Sequence, residues 1–299
     1  MIVAPNLWRS LSRTSCLAVP ILGAALAAEP VHGQFAARTE LVEVYASVTG
    51  THGQPVDGLP REAFRVFEDG LPQRIVAFAG ANLPLTLVVA VDHSFSMRGP
   101  KLAAARAGAD RLIEELQPSD RVMVVAIGSE VETLAALGGD RAAAREAVRG
   151  LMPWGTTPLG EAMSASIRAV ASEAGRRAVV LFTDGETRYD TEARSAVLNA
   201  VRRSNVIVYP VGVGHGHALI LAELADVSGG RSIDAVTPAA ASSAATAIAS
   251  ELRHQYLLGY EPPTPQSALE RWRTIRVEVE VPGAKVLARQ GYYGKGSTE

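Results

Sequence analysis

The sequence predicts an α/β protein: a doubly wound, mostly parallel central sheet with a small flanking β-sandwich formed by the N- and C-terminal segments. Three observations predict it. Across residues 83–252, apolar strand-length runs alternate with amphipathic helical stretches, the pattern of parallel strands covered by helices on both faces. The segments 34–82 and 253–299 return to strand and turn patterns. Three loops that follow apolar strands or open a helix carry clustered carboxylates and hydroxyls, and ligands of doubly wound sheets bind outside the carboxyl ends of the strands.

The chain has 299 residues, enough for one large or two small domains. At 47% hydrophobic and 20% charged it reads as globular. A formal net charge of −2, with no Lys/Arg run, excludes an electrostatic footprint for nucleic acid. Aromatic content of 5% also argues against base-stacking platforms. Residues 1–27 read as an export signal: Arg9 and Arg13 form a basic start, an uncharged stretch follows, and Ala25-Leu26-Ala27 offers small residues for cleavage. That stretch is shorter than the ~20 apolar residues of a membrane span, so the mature chain is expected to have no such span and to lie in the periplasm or outside the cell. The single cysteine, Cys16, falls in this segment. Packing or a bound ion must then stabilise the mature protein rather than disulfides.

The elements follow in order. "TELVEVYASVTG" sets Leu41, Glu43 and Tyr45 against Val42, Val44 and Ala46, a half-buried strand. "FRVFEDG" and "QRIVAFAG" read as short strands around a hairpin-like turn at Glu68-Asp69-Gly70. Central strands are expected at 85–91, 121–127, 178–183, 206–213 and 231–236, with a weaker one near 131–137. A helix from Pro100 to Leu116 aligns Leu102, Ala105, Ala109, Leu112, Ile113 and Leu116 on one face. A second runs from Leu159 to Ala174 and stops at Gly175. A third runs from Thr191 to Ser204, and "ALILAELADVSGG" makes a fourth that ends in a glycine pair. "YLLGYEPP", "WRTIRVEVEV" and "AKVLARQGYYG" are strand-like. Neither terminal segment offers enough strands to fold alone, so the two are expected to pair.

The run Leu85–Val91 has almost no polar side chain, yet it ends in Asp92, Ser94 and Ser96 at alternate positions. "WGTTPLGEA" presents Thr156 and Thr157 ahead of a helix. "VVLFTDGE" ends another apolar strand with Thr183, Asp184 and Glu186. Carboxylates and hydroxyls without a thiol suit a hard cation such as Mg²⁺, which takes six oxygens in near-octahedral geometry. Two aspartates offset its charge while neutral hydroxyls add none, and an incoming carboxylate completes the shell.

These motifs, Asp92-x-Ser94-x-Ser96, then Gly155-Thr156-Thr157-Pro158-Leu159, then Thr183-Asp184-Gly185, resemble in order, spacing and strand context the metal-ion-dependent adhesion site of von Willebrand factor A domains. The resemblance implies a Rossmann-like fold over about 170 residues and a Mg²⁺ or Mn²⁺ ion held by Asp92, Ser94, Ser96, Thr157 and Asp184, some through water. It implies a protein partner that supplies an Asp or Glu carboxylate, and an adhesion-type module rather than an enzyme. The flanks, from "VEVYASVTG" to "PQRIVAF" and from "ELRHQYLLGYEP" to "RQGYYG", resemble an exported bacterial group of such proteins known from Acidobacteria.

Other readings compete. The same ion can serve only to stabilise a structural subunit. A Mg²⁺-dependent phosphatase-like enzyme is a weaker alternative, because an aspartyl nucleophile is usually followed by an acid two residues on, where Ser94 stands here. Asp92, His93 and Ser94 are adjacent, and neighbours on an extended chain point to opposite sides, so they make no triad. "PVGVGHGHALI" resembles a dinucleotide loop but has His217 at the third glycine position. Glu161 and Glu186 are expected around the ion rather than on it. Trp154 is either a packing residue or an exposed contact beside the site.

Overall fold

The structure is a computed structural model that describes residues 41–80, 83–186, 191–214, 219–263 and 271–294. The expected signal segment, Cys16, His215 and His217 lie outside the described residues. Four strands come first: β1 (Val42–Thr49), β2 (Phe64–Glu68), β3 (Leu71–Gln73) and β4 (Ile75–Ala79). The central part then runs β5 (Leu85–Asp92), α1 (Pro100–Glu115), β6 (Arg121–Ile127), β7 (Val131–Ala135), α2 (Arg141–Gly150), α3 (Leu159–Val170), β8 (Arg176–Thr183), α4 (Thr191–Arg203), β9 (Ile207–Gly212), α5 (Leu219–Ser228), β10 (Ile233–Asp234) and α6 (Pro238–Arg253). Four more strands follow: β11 (Tyr256–Tyr260), β12 (Trp272–Val279), β13 (Lys285–Ala288) and β14 (Gly291–Tyr293).

The central sheet has the order β10-β9-β8-β5-β6-β7. All its pairings are parallel except β6–β7, so the weak strand near 131–137 becomes an antiparallel edge. Every residue of β5 is buried, which is why this strand, apart from Thr86 and the terminal Asp92, is apolar rather than alternating. Leu87, Val89 and Val91 enter the core under α1, α2 and α6. Val88 and Ala90 enter the core under α3, α4 and α5. Each such Val or Leu contributes about 1.5–3 kcal/mol on burial. The strand order reverses where β8 and β6 flank β5, and this switch point is where doubly wound sheets leave a crevice for a ligand. Gly108 lets α1 approach this sheet, since a Cβ there would stand 2.4 Å from Phe182 Cε1 and 3.1 Å from Ala241 Cβ.

Helix α3 ends at Val170 rather than at Ala174. The chain must turn back before β8 starts at Arg176, and Gly175 takes the positive φ of 80° that this turn requires. Helices α2 and α6 were not expected from periodicity. Asp140 caps α2 through its side chain on Ala142 N at 2.8 Å. Thr237 caps α6 on Ala240 N at 3.1 Å, with Pro238 in the first turn.

The flanking strands form two antiparallel sheets, β13-β1-β11-β4 and β14-β12-β2-β3. Strands of the two chain ends pair in both: β1 with β11 and β13, and β2 with β12. Val44, Phe64, Val66, Tyr256, Leu258 and Ile275 are among the buried residues between them. Two local expectations are corrected. The hairpin at Asp69-Gly70 closes on β3, while β4 crosses to pair with β11 in the other sheet. Strand β1 is buried on both faces rather than one, because Tyr45 packs into the central core. Gln255 Nε2 also donates to Ser47 Oγ (3.1 Å) and to the Tyr209 hydroxyl (3.2 Å), fastening β1 to the central part.

Candidate metal centre at the carboxyl edge of the central sheet

Asp92 is the last residue of β5 and is completely buried. The Ser94 backbone N–H donates to Asp92 Oδ1 at 2.9 Å. On the other oxygen, the Thr183 hydroxyl donates to Oδ2 at 2.7 Å and the Thr157 hydroxyl stands at 3.4 Å. Ser94 Oγ and Ser96 Oγ are 3.0 Å apart. The 3₁₀ turn at Phe95–Met97, not an extended strand, brings the Ser94 and Ser96 hydroxyls together just beyond the end of β5. Burial pushes the Asp92 carboxyl above the ordinary carboxylate range; the bonds from Ser94 and Thr183 oppose that shift and the charge of Asp184 adds to it.

The loops are tied to one another by backbone. His93 turns away from Asp92, and its Nδ1 donates to the Met152 carbonyl at 2.7 Å. The Trp154 N–H donates to the His93 carbonyl at 2.7 Å, and the Phe95 N–H to the Gly155 carbonyl at 3.0 Å. Gly155 has φ +79°, and a Cβ there would stand 2.2 Å from Ser129 N. Gly155→Ala is therefore expected to cost about 1–3 kcal/mol and to displace Thr157 from Asp92. Thermal unfolding with and without Mg²⁺ checks both effects.

Asp184 follows β8. Its Oδ1 accepts from the Glu186 N–H at 3.1 Å, while Gly185 N–H donates to Thr183 Oγ1 at 3.1 Å. Its Oδ2 accepts from Lys101 Nζ at 2.8 Å, and the same ammonium reaches Glu186 Oε1 at 2.7 Å. Burial works against the charge of Lys101, but the hydrogen bonds and charges of Asp184 and Glu186 outweigh it and raise its pKa. Reading the sequence missed Lys101 in this setting. One signal was present: lysine is disfavoured beside the positive end of a helix, and Lys101 is the second residue of α1. Thr183 belongs to the cluster as well. Glu161 is exposed and outside these contacts. Trp154 is 49% exposed, with its ring 6.3 Å from that of His93.

The five expected residues thus meet at one edge: Asp92, Ser94, Ser96 and Thr157 through direct oxygen contacts, Asp184 through its charge on Asp92. The donors suit a hard cation, with two carboxylates and the hydroxyls of Ser94, Ser96, Thr157 and Thr183. Among the described residues no three His, Cys, Asp or Glu side chains converge, so hydroxyls would have to complete a shell here. Asp92 has no ion-pair partner among the described residues. A buried carboxylate in that state is costly unless a cation comes to it.

A doubly wound α/β domain with oxygen-donor loops at its switch point is the architecture of the von Willebrand factor A class. The sequence model of the von Willebrand factor type A domain matches residues 86–246, and the chain belongs to that family. An uncharacterized protein of Synechocystis, sll0103, is 30% identical over 140 residues, covering 44% of this chain and 33% of that protein. This chain thus spans about a third of its length. Among solved structures, the von Willebrand factor type A protein of Catenulispora acidiphila is similar at 14% identity and TM-score 0.52, covering 88% of this chain and 75% of that one. Proximal thread matrix protein 1 of the mussel byssus is similar at 13% identity and TM-score 0.51, covering 62% of this chain and 51% of its own. At these identities the likeness is one of fold. Von Willebrand factor A domains are commonly modules of protein–protein interaction and adhesion. No helix among the described residues is long and apolar enough to cross a membrane.

Proposed function

We propose that this protein is an exported, non-enzymatic binding module whose Asp92, Ser94, Ser96, Thr157 and Asp184 hold Mg²⁺ or Mn²⁺, directly or through water. One observation carries the reading: a completely buried Asp92 carboxylate, surrounded by hydroxyls and lacking a countercharge among the described residues. When bound, the ion supplies an electrophilic position for an oxygen of an Asp or Glu side chain on a partner protein. The chain's own residues do the rest. Asp92 and Asp184 supply negative charge, and the hydroxyls ligate without neutralising the ion. The bonds of His93, Trp154 and Phe95 hold the loops in register. Phe95, Met152 and Trp154 are exposed on the same loops and offer apolar area to a partner around the charged contact. The periplasm or cell exterior as its setting rests on the sequence of residues 1–27.

The Lys101 bridge favours a second reading, in which an internal ammonium or a fully enclosed ion only stabilises the fold. Water-proton relaxation of Mn²⁺-loaded protein separates the two. An open position gives inner-sphere exchangeable water that a soluble Asp- or Glu-bearing peptide displaces; a closed shell gives neither effect and favours the structural reading. Lys101 also competes with the ion for Asp184, so Lys101→Met is expected to tighten Mg²⁺ binding about tenfold, or about 1.4 kcal/mol. Calorimetric titration reads this directly, and weaker binding would show that the ammonium assists the site.

A further inference from the structure

At the opposite edge of the central sheet, where β8 begins, a cavity of about 310 Å³ opens between the central part and the flanking strands. Its walls include Arg177 at the start of β8, Arg203 at the end of α4, Arg289 between β13 and β14, Tyr292 and Tyr293 on β14, and Glu43 on β1. We propose that this cavity binds a small oxyanion, a carboxylate or a phosphate. The inference is independent of the metal centre, which lies at the other end of the strands.

The charges are the first argument. Three arginines meet one glutamate on this wall. Arg177 Nη1 donates to the Ala171 carbonyl at 2.8 Å, yet its Nε is buried with no acceptor among the described residues. Arg289 Nε is buried in the same condition. Neither side chain forms an ion pair among the described residues. Burial lowers the pKa of Arg289 to about 10, which still leaves it charged at neutral pH. Glu43 on the same wall offsets only part of the cost of burying this charge, and an anion would offset more of it.

Geometry is the second argument. The guanidinium of Arg203 lies 4.6 Å from the ring centroid of Tyr293, and that of Arg289 lies 5.3 Å from the centroid of Tyr292. A guanidinium held by a ring contact keeps its orientation, and its N–H donors lie in its own plane. Carboxylate and phosphate match such a planar fork through paired hydrogen bonds. The volume fits a group of a few heavy atoms and sits at the small end of ligand pockets. Glu43 is the opposing feature, because its carboxylate repels an incoming anion.

Titration of the metal-stripped protein with inorganic phosphate and, separately, with succinate tests this, at constant ionic strength set by chloride. Saturable binding of either anion is expected, and which one binds identifies the source chemistry. Arg177→Gln, at a partly exposed position, should weaken binding at least tenfold. Glu43→Gln should strengthen it several-fold, and Asp92→Ala should leave it unchanged. The Glu43 variant keeps the test valid if Arg177→Gln fails to fold. No saturable binding of either anion, equal affinity in a folded Arg177→Gln, or loss of binding in Asp92→Ala would each overturn the proposal. The last of these would place the anion on the metal edge.

Discussion

In Asp92→Ala, saturable binding of Mg²⁺ is expected to disappear while the metal-free fold keeps most of its stability. The two halves of this result come from the same side chain. Asp92 accepts from Ser94 N–H and from the Thr183 hydroxyl, and losing such bonds costs about 1–3 kcal/mol. Against that, the substitution removes a buried carboxylate that has no countercharge among the described residues, which is itself destabilising. The net change without metal should therefore stay within about 1 kcal/mol, because the two terms oppose each other. With Mg²⁺ at 100 times its dissociation constant, the wild type should gain about 2.7 kcal/mol by mass action, and the variant nothing. Denaturant unfolding with and without Mg²⁺ measures all four states. An equal gain in the variant would place the ion elsewhere.

Glu68→Ala is expected to destabilise the flanking sheets by about 3–5 kcal/mol, the range for breaking a buried ion pair. Glu68 is only 2% exposed and Arg273 1%. Arg273 Nη1 donates to Glu68 Oε1 at 3.1 Å. The hydroxyls of Tyr260 and Tyr292 donate to Oε2 at 2.7 and 2.8 Å. These partners come from β12, β11 and β14, so one carboxylate joins both flanking sheets. Burial, and then the bond to Glu68, raises the pKa of each tyrosine, which keeps both as donors across the neutral range. Glu68→Gln keeps the shape and an acceptor, and should cost only about 1–3 kcal/mol. Urea unfolding read by circular dichroism orders the variants. A cost below 1 kcal/mol for Glu68→Ala, the scale of an exposed pair, would show that the cluster does not hold the sheets together.

The parts of this fold that the sequence reveals are those whose signal is local. Strand β5 is legible because burial on both faces makes it apolar, and α1 because its apolar residues recur at helical spacing. Helix α6 is hard to see: its buried face is mostly alanine and its other residues include alanine and serine, so the two faces contrast little. Its cap, Thr237-Pro238, was the available clue. Strand β4 looks like a hairpin partner of β2, but choice of partner is decided by contacts with β11, about 180 residues away. The same division applies at the site. Asp92, Ser94 and Ser96 announce themselves by alternation on one strand end. Thr183 on Asp92 and Lys101 on Asp184 are contacts across 91 and 83 residues, and apart from the unusual place of Lys101 in the first turn of α1 no local pattern hints at them.

The most direct measurement is a calorimetric titration of Mg²⁺ and Mn²⁺ into the metal-stripped mature protein, beside Thr157→Ala. Thr157 reaches the cluster from a different loop than Asp92, and Thr157→Ala removes a neutral hydroxyl while both carboxylates stay in place. One saturable site in the wild type, weakened at least tenfold in the variant, is the predicted result. No saturable binding in the wild type, or the same affinity in Thr157→Ala, would contradict the assignment of this edge as a metal centre.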